Sequence, residues 1–192
     1  MTLSTTEAVA IGASAGAFEA LSAILPSLPA DYPLPVFVVV HIPADKESFL
    51  ADLLRRKCRV SVREAQDKEP IEPATVYLAP PDYHLLVEPD RRLSLSADEP
   101  VLFSRPSIDV LLETAAEAYG VGLVGIVLTG ANSDGARGLK AIVDRGGTAL
   151  VQRPDKALSP AMPTAALDAC PGARSLELGE IADYLLAIVT ES

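Results

Sequence analysis

The chain has 192 residues, which suits one domain with a sizeable core and leaves too little for two. Hydrophobic residues make up 49% and aromatics 5%, with no Trp, so global disorder is excluded and the core must be built from Ala, Val, Leu and Ile. The net charge of -10 argues against nucleic acid as a ligand, because phosphate binding needs a surplus of Lys and Arg.

Ala8 to Gly12 is a short apolar run ending in Gly and reads as a buried strand. A helical pattern follows through Phe18, Leu21, Ile24 and Leu25, stopped by Pro26 and Pro29. Pro35 to His41 is a second continuous strand, rich in β-branched residues. Pro43 breaks it, and Asp45 can cap a helix carrying Phe49, Leu50, Leu53 and Leu54 on one face. Arg59 to Arg63 alternates as a third strand, and Thr75 to Ala79 forms a fourth. His84 to Val87 and Arg91 to Leu95, joined at Pro89-Asp90, read as a hairpin. A helix starts at Ser107 and runs to about Tyr119, with Ile108, Leu111, Leu112 and Ala115 facing inward. Gly122 to Leu128 is a buried strand leading into the loop Thr129 to Gly135. The helix beyond it ends at Gly146-Gly147, Thr148 to Gln152 is a strand, and short helices lie near Pro163 to Ala169 and from Glu180 to Val189. Strands alternating with helices predict an α/β, doubly wound, mostly parallel sheet with helices on both faces. The segment from Pro70 to Pro106 adds an antiparallel hairpin at one side of it.

Cys58 and Cys170 read as ordinary small residues, since two cysteines make no disulfide framework. No run approaches the roughly 20 apolar residues of a membrane span, and the N-terminus has no basic region of a signal peptide. The expectation is a soluble cytoplasmic protein without membrane insertion.

In doubly wound sheets ligands bind beyond the carboxyl ends of the strands, so polar residues there carry the functional signal. Ser14 follows the first strand, His41 ends the second, and Asp134 lies in the loop after the Gly122 to Leu128 strand. A hydroxyl, an imidazole and a carboxylate are the inventory of a nucleophilic triad. Gly12-Ala13-Ser14-Ala15-Gly16 also matches G-x-S-x-G, where small neighbours allow a tight strand-to-helix turn. The order Ser, His, Asp differs from the usual α/β-hydrolase, which places its histidine last. Each residue has a plainer reading. Gly12 to Gly16 could cradle a phosphate, His41 could be a hydrogen-bonded strand end, and Asp134 could cap the next helix. His84 reads as a hairpin residue. Arg55, Arg56, Lys57 and Arg59 read as a solvated helix end. A nucleotide-binding module would place an acid about 20 positions beyond the glycine turn; His41 stands there instead.

Several segments together resemble the chemotaxis protein-glutamate methylesterases, the CheB catalytic domain family. Ala10 to Gly16 resembles that family's IGAS-x-G, Val40-His41-Ile42-Pro43 its QH-x-P, and Tyr77-Leu78-Ala79-Pro80 with His84 its Y-I-A-P…H. Arg105 to Asp109 resembles RPSVD, Leu128 to Ala136 resembles LTGMG-x-DGA, and Met162-Pro163 matches a late MP pair. The set is co-linear from about Val9 to the last helix. The resemblance implies hydrolysis of glutamate methyl esters on the cytoplasmic helices of methyl-accepting chemotaxis receptors, releasing methanol, with deamidation of receptor glutamines as a second activity. It implies Ser14 as nucleophile, His41 as base and Asp134 as the orienting carboxylate, with Ala15, Gly130, Ala131 and Asn132 lining the oxyanion side. It implies no metal and no cofactor. The sequence departs from the family where Ala15 replaces a Thr, Ala131 a Met and Asn132 a Gly, which suits an acid loop of different shape and leaves a catalytically impaired receptor-binding homologue as an alternative. Residues 1–192 read as a single catalytic domain with no receiver domain in this chain, and a separate receiver domain or other regulator is a possible partner.

Overall fold

The computed structural model describes residues 6–42 and 48–190. Pro43 and Asp45, read above as a strand breaker and a cap, lie outside them. The elements along the chain are β1 (Ala8–Ala13), α1 (Ala17–Ile24), β2 (Val36–Val40), α2 (Leu50–Arg55), β3 (Ser61–Glu64), β4 (Thr75–Leu78), β5 (His84–Val87), β6 (Leu93–Ser96), α3 (Ile108–Tyr119), β7 (Leu123–Val127), α4 (Ala136–Asp144), β8 (Thr148–Gln152), α5 (Ala161–Ala169), β9 (Arg174–Leu176) and α6 (Leu178–Thr190).

Seven strands form one parallel sheet in the order β3-β4-β2-β1-β7-β8-β9. The chain lays β2, β3 and β4 on one side of β1, with β4 inserted between β2 and β3, then crosses back to build outward from β7 on the other side. The point of reversal, between β1 and β7, is where such sheets open a crevice at their carboxyl edge.

Both faces of the sheet are covered, which is why its strands are apolar throughout. Val9, Ile11 and Ala13 of β1 face a core completed by Leu21 and Ile24 of α1, Leu54 of α2, and Ile181 and Leu185 of α6. Ala8 and Ala10 face the opposite core, with Leu111 and Leu112 of α3, Leu139 and Ile142 of α4, and Met162 and Ala166 of α5. The small residues on this second face let α3 approach closely. A Cβ added at Gly12 would meet Ile108 Cγ2 at 2.2 Å, so the first glycine of G-x-S-x-G is set by helix packing.

Two expectations change in detail. The hairpin forms, with His84 opposite Ser96 and Val87 opposite Leu93, but as a two-stranded sheet of its own. Each side of β4 already has a partner, β3 and β2, so no edge is free there. The hairpin instead buries Leu85, Val87 and Leu93 against the α3 side, where the Val87 amide donates to Thr114 Oγ1 of α3 at 3.1 Å. The third strand begins at Ser61, two residues later than the alternation suggests, because its ladder with β4 starts at the Ser61–Thr75 pair. Both cysteines are free, Cys170 buried and Cys58 half-buried. Among the described residues no helix is long and apolar enough to cross a membrane.

Candidate active site

The β1–β2 register pairs Ala13 with Val40, so Ser14 and His41 follow as neighbours at the carboxyl edge. The His41 amide donates to Ala13 O at 3.3 Å and the Ser14 amide to Thr129 O at 2.9 Å. Adjacent strands are about 4.8 Å apart, which sets the two residues side by side. The chain then turns into α1 through Gly16, whose φ of 84° is left-handed and suits a residue without a side chain. A Cβ on Gly16 would also press on Leu158 at 3.0 Å.

The Asp134 carboxylate lies 2.7 Å from Nε2 of His41, through Oδ2. Asp134 is fully buried, and four donors surround it. Besides His41, Oδ2 accepts the Ile108 amide at 2.7 Å, while Oδ1 accepts the Asp109 amide at 2.9 Å and the Ser107 hydroxyl at 3.0 Å. Those groups are the N-terminal turn of α3, the end of a helix that favours an anion. Burial pushes the Asp134 carboxyl up. The hydrogen bonds from His41, Asp109 and Ile108 outweigh it and hold the group below the usual carboxylate range. Asp134 is therefore a helix cap, as its plainer reading had it, but of α3 and not of α4. The cap of α4 comes in return from α3: Asp109 Oδ1 accepts the amides of Gly135 at 3.0 Å and Gly138 at 2.7 Å. Burial raises the Asp109 pKa, partly offset by the Gly138 amide.

An ionised Asp134 accepts a hydrogen bond from a protonated Nε2, so the lone pair of a neutral His41 is on Nδ1. Among the described residues neither Nδ1 nor the Ser14 hydroxyl has a hydrogen-bond partner. Catalytic hydrogen bonds often tighten only when substrate is bound. His41 is 13% exposed at its side chain, so the ring is reachable from solvent while its acid is not.

Thr129 ties the surrounding loops together. Its Oγ1 donates to Ala15 O at 2.8 Å and accepts the Ser159 amide at 2.9 Å, and its amide donates to Gln152 Oε1 at 2.9 Å. Gly130 is spoken for on both sides: its amide donates to Ser159 O at 3.0 Å and its carbonyl accepts the Met162 amide at 2.9 Å. The amides of Ala15, Ala131 and Asn132 have no partner among the described residues. Asn132 closes a side-chain turn, its Oδ1 accepting the Asp134 amide at 3.1 Å, so this departure from the resembling motif steadies the acid loop. His84 is buried and structural. Its Nδ1 accepts the Ser107 amide at 3.1 Å and its Nε2 donates to Glu99 O at 3.0 Å, which anchors the start of α3.

Two clefts, which share Ile42 as a lining residue, reach the histidine and the serine respectively. One, about 330 Å³, is lined by His41, Asp82, Phe103 and Arg105; the other, about 370 Å³, by Ser14, Phe18, Phe49 and Leu53. Arg105 holds the wall of the first, donating to Asp82 Oδ1 and to the carbonyls of Ala97 and Asp98. A phosphate-cradling role for Gly12 to Gly16 fits poorly, since the Ser14 amide is taken by Thr129 O and the Ala17 amide by Ser14 O at 2.9 Å.

The roles of Ser107, Asp109, Thr129 and Gln152 are not apparent in the sequence-based site. Ser107 was legible as a helix start, and it does cap α3, but its bond to Asp134 depends on tertiary structure. Thr129 and Gln152 stood at strand ends, the signal used for Ser14 and His41, without chemistry of their own to mark them.

The family model described as CheB methylesterase matches residues 9–185. The chain is 46% identical over 182 residues to a Leptospira interrogans protein provisionally named protein-glutamate methylesterase/protein-glutamine glutaminase, covering 95% of this chain and 94% of that one. It is 41% identical over 163 residues to the Archaeoglobus fulgidus protein-glutamate methylesterase/protein-glutamine glutaminase, covering 83% of this chain and 47% of that longer protein. The crystal structure of the Thermotoga maritima CheB methylesterase catalytic domain superimposes with a TM-score of 0.90 at 29% identity, over 96% of this chain and 99% of that one. The chain belongs to the CheB methylesterase family.

Proposed function

We propose that this chain hydrolyses methyl esters on the side chains of protein glutamates, with Ser14 as nucleophile, His41 as general base and Asp134 as the residue that orients and charges the base. Its relatives carry that activity, and a glutaminase activity, in their names. The observation that carries the assignment of residues is the buried Asp134 carboxylate, held anionic at the N-terminus of α3 and bonded to Nε2 of a histidine whose backbone neighbours Ser14.

Ser14 Oγ attacks the ester carbonyl as His41 Nδ1 takes its proton. Asp134 keeps the Nε2 proton in place and balances the imidazolium that forms. Methoxide departs with the proton from Nδ1 as methanol, leaving an acyl-enzyme. Water, deprotonated by the same nitrogen, then frees the glutamate carboxylate. Proton transfer of this kind is worth about 10²–10⁴-fold in rate. The oxyanion is received by the unpartnered amides of Ala15, Ala131 and Asn132, each such donor worth about 2.7–4 kcal/mol. Gly130 braces that loop through Ser159 and Met162. Attack on a glutamine amide follows the same course with ammonia as leaving group.

The substrates we assign are cytoplasmic helices of methyl-accepting chemotaxis receptors, with a receiver domain or other regulator acting as a separate partner. Ser14→Ala removes the nucleophile while changing one atom, so folding should be retained and methanol release from methylated receptor should fall to background. A fluorophosphonate should modify wild-type Ser14 stoichiometrically. Retained turnover in the variant overturns the mechanism; a wild-type serine inert to the reagent favours the binding homologue.

A further inference from the structure

The chain has two histidines, and only His41 has a place in the reaction so far. The other, His84, opens β5 and is 2% exposed. Its partners fix the state of the ring. The Ser107 amide can only donate, so Nδ1, 3.1 Å away, holds the lone pair. The Glu99 carbonyl can only accept, so Nε2, 3.0 Å away, carries the proton. The ring has a firm support. His84 is held in register opposite Ser96, and Arg105 clasps the segment before Glu99 by donating to the carbonyls of Ala97 and Asp98.

Beyond Ser107 the contacts run on to the acid. Ser107 is fully buried, and its hydroxyl donates to Asp134 Oδ1 at 3.0 Å. The next two amides follow suit, Ile108 to Oδ2 at 2.7 Å and Asp109 to Oδ1 at 2.9 Å. Three of the four donors on Asp134 thus come from three consecutive residues. The amide that begins the run is the one His84 holds, and among the described residues it has no other acceptor. Holding that peptide plane fixes the rotation about the Ser107 N–Cα bond, where φ is -104°. The direction of the Ser107 side chain and of the amides after it follows from that angle.

We propose that His84 is a positioning residue for the reaction: by accepting the Ser107 amide it sets the first turn of α3, and so aims the Asp134 carboxylate at Nε2 of His41. The line runs from His84 through Ser107 and Asp134 to His41. The inference rests on the reading of Asp134 and His41 as acid and base. His84 touches neither Ser14 nor an ester bound to it, so its loss should appear in kcat and leave KM nearly unchanged.

The test separates the two ring nitrogens. In His84→Asn, Oδ1 replaces Nδ1 as acceptor for Ser107, and the donor to Glu99 is lost. In His84→Gln, Nε2 keeps the donor to Glu99, and the acceptor for Ser107 is lost. Each variant gives up one buried hydrogen bond, so urea unfolding should show both destabilised to a similar degree. Their rates should part. Methanol release from methylated receptor, counted per fluorophosphonate-reactive Ser14, should fall about 10- to 100-fold in kcat for His84→Gln, the loss that a misplacement of about 1 Å brings. His84→Leu, which lacks both groups, should fall with it, and His84→Asn should stay close to wild type. The low-field proton on Nε2 of His41 should shift in His84→Gln and hold its place in His84→Asn. Equal kcat in the Asn and Gln variants, or a His41 proton unmoved in both, overturns the positioning role and leaves the triad standing. Should the acceptor-less variants not fold, nitrogen NMR of wild type decides: coupling across the hydrogen bond from the Ser107 amide to His84 Nδ1 supports the role, and a proton on Nδ1 overturns it. A wild-type Ser14 inert to the fluorophosphonate brings down the nucleophile reading, and the inference with it.

Discussion

Replacing Asp134 with Asn separates the charge of this residue from its shape. The carboxylate accepts four hydrogen bonds, two at each oxygen. An amide has one acceptor oxygen, so two of the four donors must meet an NH₂ group. With the NH₂ placed toward His41, the ring must present a lone pair at Nε2 and carry its proton on Nδ1, where it cannot serve as base. The Ile108 amide is then also left without an acceptor. With the NH₂ turned the other way, His41 keeps the useful tautomer. The Ser107 hydroxyl can rotate to accept, but the Asp109 amide is orphaned. Either arrangement leaves one buried N–H unsatisfied, at about 1–3 kcal/mol of stability. Neither supplies a negative charge for the imidazolium. Wrong tautomer and missing charge together should lower kcat about 10³–10⁴-fold, or roughly 4–5.5 kcal/mol in the barrier. Methanol release gives the rate, urea unfolding the stability, and nitrogen NMR of His41 the tautomer. A variant within tenfold of wild type, with the ring still protonated at Nε2, would refute the proposed role of Asp134.

Asp109→Ala should orphan the Gly135 and Gly138 amides and cost about 2–4 kcal/mol by denaturant unfolding, while Asp109→Asn keeps an acceptor and should recover at least half of that. Because Gly135 directly follows Asp134 and Gly138 lies in the first turn of the helix after it, the alanine variant should also lower kcat more than it raises KM, measured on the same methylated substrate. Acid should weaken the fold through Asp134. Its folded pKa lies below the unfolded value of about 3.9, so its contribution is present above that pH and is lost as pH falls through the folded pKa. Unfolding titrations from pH 6 to pH 2 should therefore show wild type losing more stability than Asp134→Asn, and parallel curves would contradict this.

The strands nearest the site were legible because they are short, continuous and β-branched: Val36–Val40 could hardly be anything else, and Leu123–Val127 reads the same way. The last strand, Arg174–Leu176, was missed because it is a three-residue edge strand with two of its three residues exposed and so lacks the apolar signal of a central strand. The hairpin was visible as a hairpin, since alternation is local. Its separation from the main sheet was not, because that depends on whether β4 has a free edge.

The site shows the same division. Ser14, His41 and Asp134 could be picked out because each follows a strand, but strand order decides who meets whom. His41 follows β2 and Asp134 follows β7, and β1 runs between those two strands. The acid must reach across the end of β1, a separation of about 10 Å at ordinary strand spacing. The stretch from 128 to 135 is long enough to do so, and the N-terminus of α3 supplies the place where the carboxylate stops. A local capping rule assigns Asp134 to the helix that follows it. The observed cap is exchanged, Asp134 to α3 and Asp109 to α4, between residues 25 apart in sequence. The exchange couples the stability of two helix starts to the position of the acid. Shortening the 128–135 loop should therefore damage the His41 contact before it damages the sheet, whose β1–β7 ladder ends at the Gly12–Val127 pair, ahead of the loop.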